Sequence, residues 1–467
     1  MKRFRLSLVL TILFSMVVTK SFGYDAEIDG IYYNFSGDEA TVTYMKTGYT
    51  YSQLNGERLY YNSTAYNGDV VIPQTVIYNE TTYNVTSIGI SAFEYCNNLT
   101  SITIPNSITH IYNSAFQGCT SLNKVIVNDI AAWCSIDFYD GNSNPLSLTK
   151  RLYSDISTEI TDLCIPEGVI NINSNAFINC EYIKSVYLPE SLESIGSGAF
   201  SGCIGLTTIS IPQNVGTIGN QAFSGCSFTK VEINSNAISS LSGSWTSSSM
   251  AGVFGNQVTD YVLGEGVSQI GDNAFYNCSQ LKSVSLPKSL TTVFNNAFYG
   301  CTNLTDVTIA DIGSWCDVKF YSDKSNPLYF TKKFYVDGMG EITELVIPEG
   351  TEIIKSYAFY NCENFVSVSI PESMKEVERD AFSGCTNLNK VNIKSIESWL
   401  NIEWTYSSLR NVKHLFYNDG TEITSLTIPE GITEIKDHAF VNCIGLISVT
   451  LPYNFKSVGM DAFYRCI

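Results

Sequence analysis

Cysteine is the reactive residue that recurs most regularly in this chain. Eleven of the fourteen cysteines stand three residues after the Phe of an Ala-Phe-x-x-Cys motif, and six of the ten gaps between neighbouring motifs are 23 residues. Thiols can form disulfides or bind metals, but one thiol per repeat at a fixed position presents parallel Cβ vectors that do not converge. No Cys-x-x-Cys pair or cluster of histidines indicates a zinc site. We therefore predict free, buried thiols at Cys96, Cys119, Cys180, Cys203, Cys226, Cys278, Cys301, Cys362, Cys385, Cys443 and Cys466.

The other residue types used in catalysis form no recognisable motif. The only histidines are His110, His414 and His438, and His438 occupies a variable position directly before an Ala-Phe pair. The sequence has no nucleophile elbow, His-Glu-x-x-His motif, P-loop or dinucleotide fingerprint. Glycoside hydrolysis would need paired carboxylates lining a deep cleft, which a continuous stack of repeats does not readily form. We predict that the protein is not an enzyme and uses no cofactor or metal ion.

The repeat period determines which elements hold these side chains. A period of this length indicates one supersecondary unit stacked many times. In the stretch Ser191–Pro212, Ile209-x-Ile211 has the period of a strand, and Pro212 ends it. The three-residue steps of Ala199-Phe200-x-x-Cys203-x-x-Leu206 suit a single helical or 3₁₀ turn on the opposite side. The predicted fold is an α/β repeat solenoid, a right-handed stack with a parallel sheet on its concave face.

About fourteen strands are predicted, one for each recurrence of the Ile209 position. They are centred on Ile102, Val125, Leu163, Val186, Ile209, Val231, Tyr261, Val284, Val307, Leu345, Val368, Val391, Leu426 and Val449. Four strand-to-strand distances lengthen to 30–38 residues. These define longer units near residues 128–160, 234–259, 310–343 and 394–424. We predict that Trp133, Trp315, Trp399 and Trp404 in these units fill the core, because the first three recur at a repeat-fixed position.

The two ends of the sequence differ from the repeats. Residues 1–23 have the features of a secretory signal peptide, with three early basic residues followed by a 13-residue apolar run, which is too short to span ~30 Å of bilayer. Residues 24–88 are rich in Tyr and Thr and are predicted to form a β-rich N-terminal cap, and residues 89–467 carry the repeats. We therefore predict a secreted, extracellular or cell-surface protein with no membrane span after signal removal.

The charge of the chain excludes one class of partner. Residues 1–23 carry four positive charges and no acid, so their removal would change the net charge from −18 to −22. Nucleic acid binding depends on Lys and Arg contacts to phosphate, so we predict no nucleic acid partner. The oligomeric state is not predicted.

The pattern Ile-x-x-x-Ala-Phe-x-x-Cys-x-x-Leu-x-x-Ile-x-Ile-Pro resembles the BspA-like class of leucine-rich repeats over residues 85–467. The resemblance implies a leucine-rich-repeat horseshoe and a secreted or surface-displayed protein, with some relatives acting as adhesins. It implies no catalytic residues and carries over no ligand contacts.

Candidate binding residues are those that the predicted strands and interruptions leave exposed. Serine and threonine dominate the exposed strand positions, and the residues suited to partner contact are Tyr187, Lys124, Lys230, Glu232 and Lys390, with Trp245 in the irregular loop Ser239–Ser249. Two hypotheses stay open. The first is a non-enzymatic binding or adhesion module that recognises host or bacterial surface proteins or glycans. The alternative is a structural surface-layer or spacer protein without a specific ligand, whose strand faces are a solvated Ser/Thr ladder.

Overall fold

The computed structural model describes residues 23–44, 50–51, 58–59, 66–239, 249–405 and 409–466. It divides into two compact units, Met1–Lys184 with Gly196–Gly205, and Ser185–Ile195 with Leu206–Ile467. The predicted signal peptide, apart from Gly23, lies outside the described residues. No described helix is long and apolar enough to span a bilayer.

The first unit begins with antiparallel strands that lead into the repeats. Ala26–Ile28 pairs with Ile31–Ser36, which pairs with Glu39–Thr43, and a further antiparallel pair joins Thr50–Tyr51 to Arg58–Leu59. Tyr66 connects to two of these strands, because its buried hydroxyl donates to the Thr43 carbonyl at 2.7 Å and accepts from the Tyr32 N–H at 3.1 Å. Burial of this hydroxyl raises the pKa of Tyr66.

Two rows of strands run through the repeats of the first unit. The long-strand row contains four parallel strands, Asn67–Val71, Asn98–Ile104, Lys124–Val127 and Leu152–Tyr153. A short-strand row pairs Thr81–Ile88, His110–Ile111 and Asp137–Phe138, also in parallel, and Thr75–Tyr78 joins Thr81–Ile88 as an antiparallel strand. Further strands of the unit are Asp162–Cys164 and Asn171–Ile172. Since Asn67–Val71 lies within residues 24–88, the long-strand row begins inside the range predicted as a cap.

The second unit repeats the same two rows. Its long strands are Ser185–Tyr187, Thr208–Ile211, Lys230–Ile233, Asp260–Leu263, Ser283–Leu286, Asp306–Ile309, Tyr335–Val336, Glu344–Val346, Ser367–Ile370, Lys390–Ile393, His414–Tyr417, Ser425–Thr427 and Ser448–Thr450, and Gly340–Glu341 is an antiparallel addition. Its short strands are Ser194–Ile195, Thr217–Ile218, Gln269–Ile270, Thr292–Val293, Lys319–Phe320, Ile353–Ile354, Glu376–Val377, Glu403–Trp404, Glu434–Ile435 and Ser457–Val458.

The predicted repeat solenoid with parallel strands is confirmed, and each of the fourteen predicted positions lies in a strand. The short-strand row was not predicted, because two residues are too few to show a strand period.

In the part of the chain that the structure describes, the helices lie in the longer units. They are Ile130–Cys134, Leu146–Thr149, Asn236–Ser239, Met250–Phe254, Ile312–Cys316, Leu328–Thr331 and Ile396–Leu400, with a 3₁₀-helix at Asp323–Ser325. The Ala-Phe-x-x-Cys segments form hydrogen-bonded turns with the 3₁₀ spacing, as in the bond from the Cys96 N–H to the Phe93 carbonyl at 3.1 Å.

The Phe and Cys of the first ten motifs are buried and form the core, and those of the last motif, Phe463 and Cys466, are half-buried. Phe93 stacks on Phe116 with ring centroids 5.0 Å apart, and Phe275 stacks on Phe298 at 4.9 Å. In five motifs the cysteine thiol donates a hydrogen bond to the Phe carbonyl one turn earlier, as in Cys301 to Phe275 at 3.1 Å. At these positions the thiol fills space and also gives a buried carbonyl, which already accepts a backbone N–H, a second hydrogen bond. All fourteen cysteines are free, and twelve are buried.

Every motif also needs two residues with left-handed backbone. One precedes Ala and the other precedes Cys, and both have positive φ in all eleven copies. The residue before Cys is Gly or Asn in nine copies, the exceptions being Tyr95 and Arg465. His438 has φ 59° at the residue before Ala, so a backbone requirement accounts for its position better than chemistry does.

We expect Gly300→Ala to lower the free energy of unfolding of the second unit by about 1–2 kcal/mol, because Gly300 has φ +84° and an L-residue is strained there. Gly216→Ala is the control, since its added Cβ would meet no atom closer than 3.8 Å and its φ is not left-handed. The control should change stability by less than about 0.5 kcal/mol. Urea unfolding followed by circular dichroism measures both, and equal effects would contradict the backbone explanation.

Candidate functional site

Three of the longer units are built around a buried tryptophan. The indole Nε1 of Trp133 donates to the Ala176 carbonyl at 2.8 Å, that of Trp315 to Ala358 at 2.7 Å, and that of Trp399 to Ala439 at 3.1 Å. Between two regular turns, the equivalent Ala carbonyl accepts the backbone N–H of the motif Phe one turn earlier, as Ala297 does from Phe275 at 2.7 Å. The tryptophans are therefore core residues, as predicted, and are not available to a partner.

The Ser-Asn-Pro-Leu turn has an equally structural role. Asn144 is fully buried, and its Nδ2 donates to the carbonyls of Asn175 and Ala176 at 2.8 and 3.1 Å. Asn326 makes the corresponding bonds to Tyr357 and Ala358. The longer unit has a helix in place of the Ala-Phe-x-x-Cys turn segment. The side-chain amide of the asparagine connects this unit to the next turn of the stack.

Each of these longer units then ends its strand with a β-hairpin. We name residues 152–160 hairpin 1, residues 334–342 hairpin 2 and residues 415–423 hairpin 3. The closing backbone bonds run from Ile160 to Leu152, Ile342 to Phe334 and Ile423 to Leu415, each at 2.8 Å. The tips of the first two expose apolar side chains, Ile156 at 53% and Met339 at 69%. The hairpins therefore carry exposed side chains that the regular repeat does not require.

The three hairpins carry the same set of chemical groups. An aromatic residue lies opposite a glutamate in each, Tyr153 with Glu159, Tyr335 with Glu341 and Phe416 with Glu422. A basic residue two positions before the aromatic contacts that glutamate: Arg151 at 2.9 Å, Lys333 at 3.2 Å and His414 at 2.6 Å. The Glu341 carboxylate raises the pKa of Lys333.

The turn of hairpin 1 is fixed by its own side chains. The Asp155 carboxylate accepts the backbone N–H groups of Ser157 and Thr158 at 2.8 and 2.9 Å. The bonds from Ser157 stabilise the ionised form and lower the pKa of Asp155 to about 2. The ionised Asp155 carboxylate therefore stabilises the turn that presents Ile156 at neutral pH.

Two of the sequence-predicted residues lie against these hairpins. The Lys124 Nζ donates to the Ile156 carbonyl at 2.8 Å and lies 5.4 Å from the centroid of the Tyr153 ring. The Lys390 Nζ lies 4.4 Å from the centroid of the Phe416 ring, within the range of a cation–π interaction. These two lysines therefore belong to the hairpin surfaces, although the hairpins themselves were not predicted.

The other predicted residues are more dispersed. Tyr187 is 52% exposed. Lys230 and Glu232 share one strand, whose sheet differs from that of Lys390, and the Glu232 Oε1 accepts from Asn234 at 3.3 Å. The structure does not bring Lys230 and Lys390 into one sheet, and Trp245 lies outside the described residues.

Within the described parts of the chain, no three His, Cys, Asp or Glu side chains are grouped so that they could hold a metal ion. The Arg151–Glu159 and Lys333–Glu341 ion pairs are partly exposed, and such pairs contribute at most about 1 kcal/mol each to stability. Their arrangement can bind a polar partner, but it offers no nucleophile with an adjacent base.

The family model described as "BspA type Leucine rich repeat region (6 copies)" matches residues 74–150, 147–253, 252–335, 330–414 and 410–467. A solved leucine-rich repeat protein from Bacteroides ovatus is similar, with 21% identity, coverage of 95% of this chain and 93% of that chain, and a TM-score of 0.33. A leucine rich cell surface protein from Faecalibacterium prausnitzii is 23% identical, with 93% and 95% of the two chains covered and a TM-score of 0.35. The pneumococcal vaccine antigen PcpA is 17% identical, with 82% and 94% covered and a TM-score of 0.31. The comparison with curated proteins found no match.

Proposed function

The chain belongs to the BspA-type leucine-rich repeat family, and on this premise we propose that it is a secreted or cell-surface adhesion module that recognises protein or glycan partners. Family and fold are those of repeat proteins that are generally not enzymes. The signal-peptide features of residues 1–23 support export of the chain.

The observation that carries the proposal is the recurrence of the hairpins. A spacer needs only the regular turns, whose core is complete without additions. The three hairpins instead place a basic group, an aromatic ring and a carboxylate side by side, and two of them add an exposed apolar tip. Arginine and tyrosine are among the residue types that contribute most at protein interfaces.

We expect Ile156→Ser and Met339→Ser, separately and together, to weaken binding of the purified chain to its target surface. The panel comprises epithelial cells, immobilised matrix proteins, bacterial cells and glycans. Loss of a buried apolar contact should lower affinity about tenfold for at least one tip, which corresponds to about 1.4 kcal/mol. Surface plasmon resonance or a cell-binding assay measures the change.

Ile204→Ser is the matched control, because Ile204 is also 53% exposed but lies in a regular turn. It should bind like the unsubstituted chain. Full binding by both hairpin variants would exclude the tips as the contact, and failure of the unsubstituted chain to bind any member of the panel would favour the structural spacer.

A further inference from the structure

A polar cavity in the second unit combines positive charge with amide groups. Its volume is about 550 Å³, which lies within the usual range for small-ligand sites. It is lined by Thr386, Asn387, Asn389, Arg410, Asn411, Lys413, Asn442, Ile444 and Arg465. Three of these residues are cationic and none is acidic, although the whole chain has a net charge of −18. The cavity is thus a local exception to the charge of the protein.

The fold holds the segment that carries two of these cations. Val412 is buried between Arg410 and Lys413 and anchors the segment in the core. The Asn411 side chain donates to the Cys385 carbonyl at 2.9 Å, and the Asn442 side chain donates to the Arg410 carbonyl at 2.5 Å. Two lining asparagines therefore fix the backbone from which the basic side chains extend.

The third cationic residue, Arg465, lies at a repeat position that is usually occupied by Gly or Asn. Arg465 has φ 60° in the left-handed position before Cys466, where nine of eleven copies have Gly or Asn. An Arg there is strained relative to Gly, and strain that persists often marks a functional position. Glu422, which lies near this region, is already bonded to His414 at 2.6 Å. Among the described residues, no carboxylate forms an ion pair with Lys413 or Arg465.

We propose that this cationic cavity binds an anionic carbohydrate of one to three sugar rings, with Lys413 and Arg465 contacting its carboxylate or sulfate group. Cationic side chains match the anion, and the amide and hydroxyl groups of the lining match sugar hydroxyls. The lining has no aromatic residue and one exposed apolar side chain, Ile444, so it offers few of the apolar contacts on which a peptide site depends. This assignment rests on the proposed function, because it names a class of ligand that the adhesion module would bind.

The test is titration of the full chain with sialyllactose, lactose sulfate, neutral lactose and a polyglutamate peptide, by calorimetry and ligand-observed NMR. We expect at least one acidic sugar to bind at least tenfold more tightly than lactose, with affinity that falls as salt is raised. The variants Lys413→Gln and Arg465→Gln together should weaken that binding at least tenfold.

Lys282→Gln is the matched control, because Lys282, like Lys413, is exposed and directly precedes a long strand, but does not line the cavity. Its binding should change less than twofold. Binding of sialyllactose alone identifies a carboxylate as the anion, and binding of lactose sulfate alone identifies a sulfate. Equal binding of lactose and the acidic sugars, tighter binding of polyglutamate, or full binding by the double variant would overturn the proposal.

The outcome is separable from that of the adhesion assay. If the chain binds acidic sugars but adheres to none of the tested surfaces, the cavity proposal stands and the adhesion proposal fails. If only the hairpin variants lose adhesion and no acidic sugar binds, the adhesion proposal stands and the cavity proposal fails.

Discussion

Raising the pH from 9 to 11 should unfold the repeats. The cause is the set of buried thiols. Burial raises the pKa of Cys119 and Cys134 in the first unit, and of Cys278 and Cys443 in the second, to about 12 from an ordinary value of 9.0. Between these values the unfolded chain releases the thiol proton and the folded chain retains it.

The sign of the effect follows from this difference. The folded pKa is the higher one, so the stabilisation is fully present below pH 9 and is lost progressively as the pH rises towards 12. Each such thiol lowers the free energy of unfolding by about 1.4 kcal/mol per pH unit in this window. The two thiols named in each unit give, by themselves, about 3 kcal/mol per pH unit, which is a large part of the 5–15 kcal/mol typical of a folded domain. Burial also raises the pKa of Cys180 in the first unit and of Cys301, Cys316 and Cys362 in the second, which adds to the loss.

Urea unfolding at pH 7, 9, 10 and 10.5 measures this dependence. Cys278→Ala with Cys443→Ala should reduce stability at pH 7 and lower the slope of the second unit by about 3 kcal/mol per pH unit. The remaining slope comes from the other buried thiols of that unit, Cys301, Cys316 and Cys362, whose pKa values burial also raises. Cys164→Ser is the control for the loss of a cysteine as such, because Cys164 is exposed and belongs to no buried contact. A pH dependence that the double variant does not alter would show that the thiols are not its cause.

Replacing Trp315 with alanine should cost about 3–5 kcal/mol of the free energy of unfolding. Trp315 is buried, and its ring packs 5.1 Å from that of Phe320 and 6.3 Å from that of Phe334. The substitution removes this packing, opens a cavity and deletes the hydrogen bond to the Ala358 carbonyl. Since Ala358 belongs to the next turn, the loss should uncouple the longer unit from the repeats that follow it.

Two further variants give this prediction its internal comparison. Trp315→Phe retains most of the apolar volume and should cost clearly less than the alanine variant. Tyr453→Ala removes a fully exposed ring and should change stability by less than about 0.5 kcal/mol. A Trp315→Ala variant within 1 kcal/mol of the unsubstituted chain would mean that the tryptophan does not hold the unit together.

The candidate site shows how far sequence reasoning reached. Lys124 and Lys390 were chosen as exposed charges on predicted strands, and both lie against hairpin rings. Their aromatic partners, Tyr153 and Phe416, lie more than twenty residues away along the chain. A sequence pattern alone cannot show that such residues meet, because the pairing depends on the register of neighbouring strands.

The Ala-Phe-x-x-Cys period determined the scaffold by itself. A motif that recurs at a fixed spacing must occupy equivalent places in a stack, so the inward Phe and Cys, the fourteen strands and the tryptophan cores followed from spacing and residue type. The left-handed positions had a visible signal, the preference for Gly or Asn before Cys, but backbone angles were needed to interpret it.

Only the tertiary structure decided the hairpins, the short-strand row and the cationic cavity. The cavity combines residues from the turns that contain Thr386, Arg410, Asn442 and Arg465, nearly eighty residues of sequence. Asn442 and Arg465 share one repeat position, directly before Cys, but the side chains of the lining are not periodic, since the variable positions of a repeat are free to differ from turn to turn. Core positions are constrained by identical neighbours in every turn and can be predicted from one repeat. Surface sites are constrained by whichever side chains stacking places together, and these become known only when the turns are assembled.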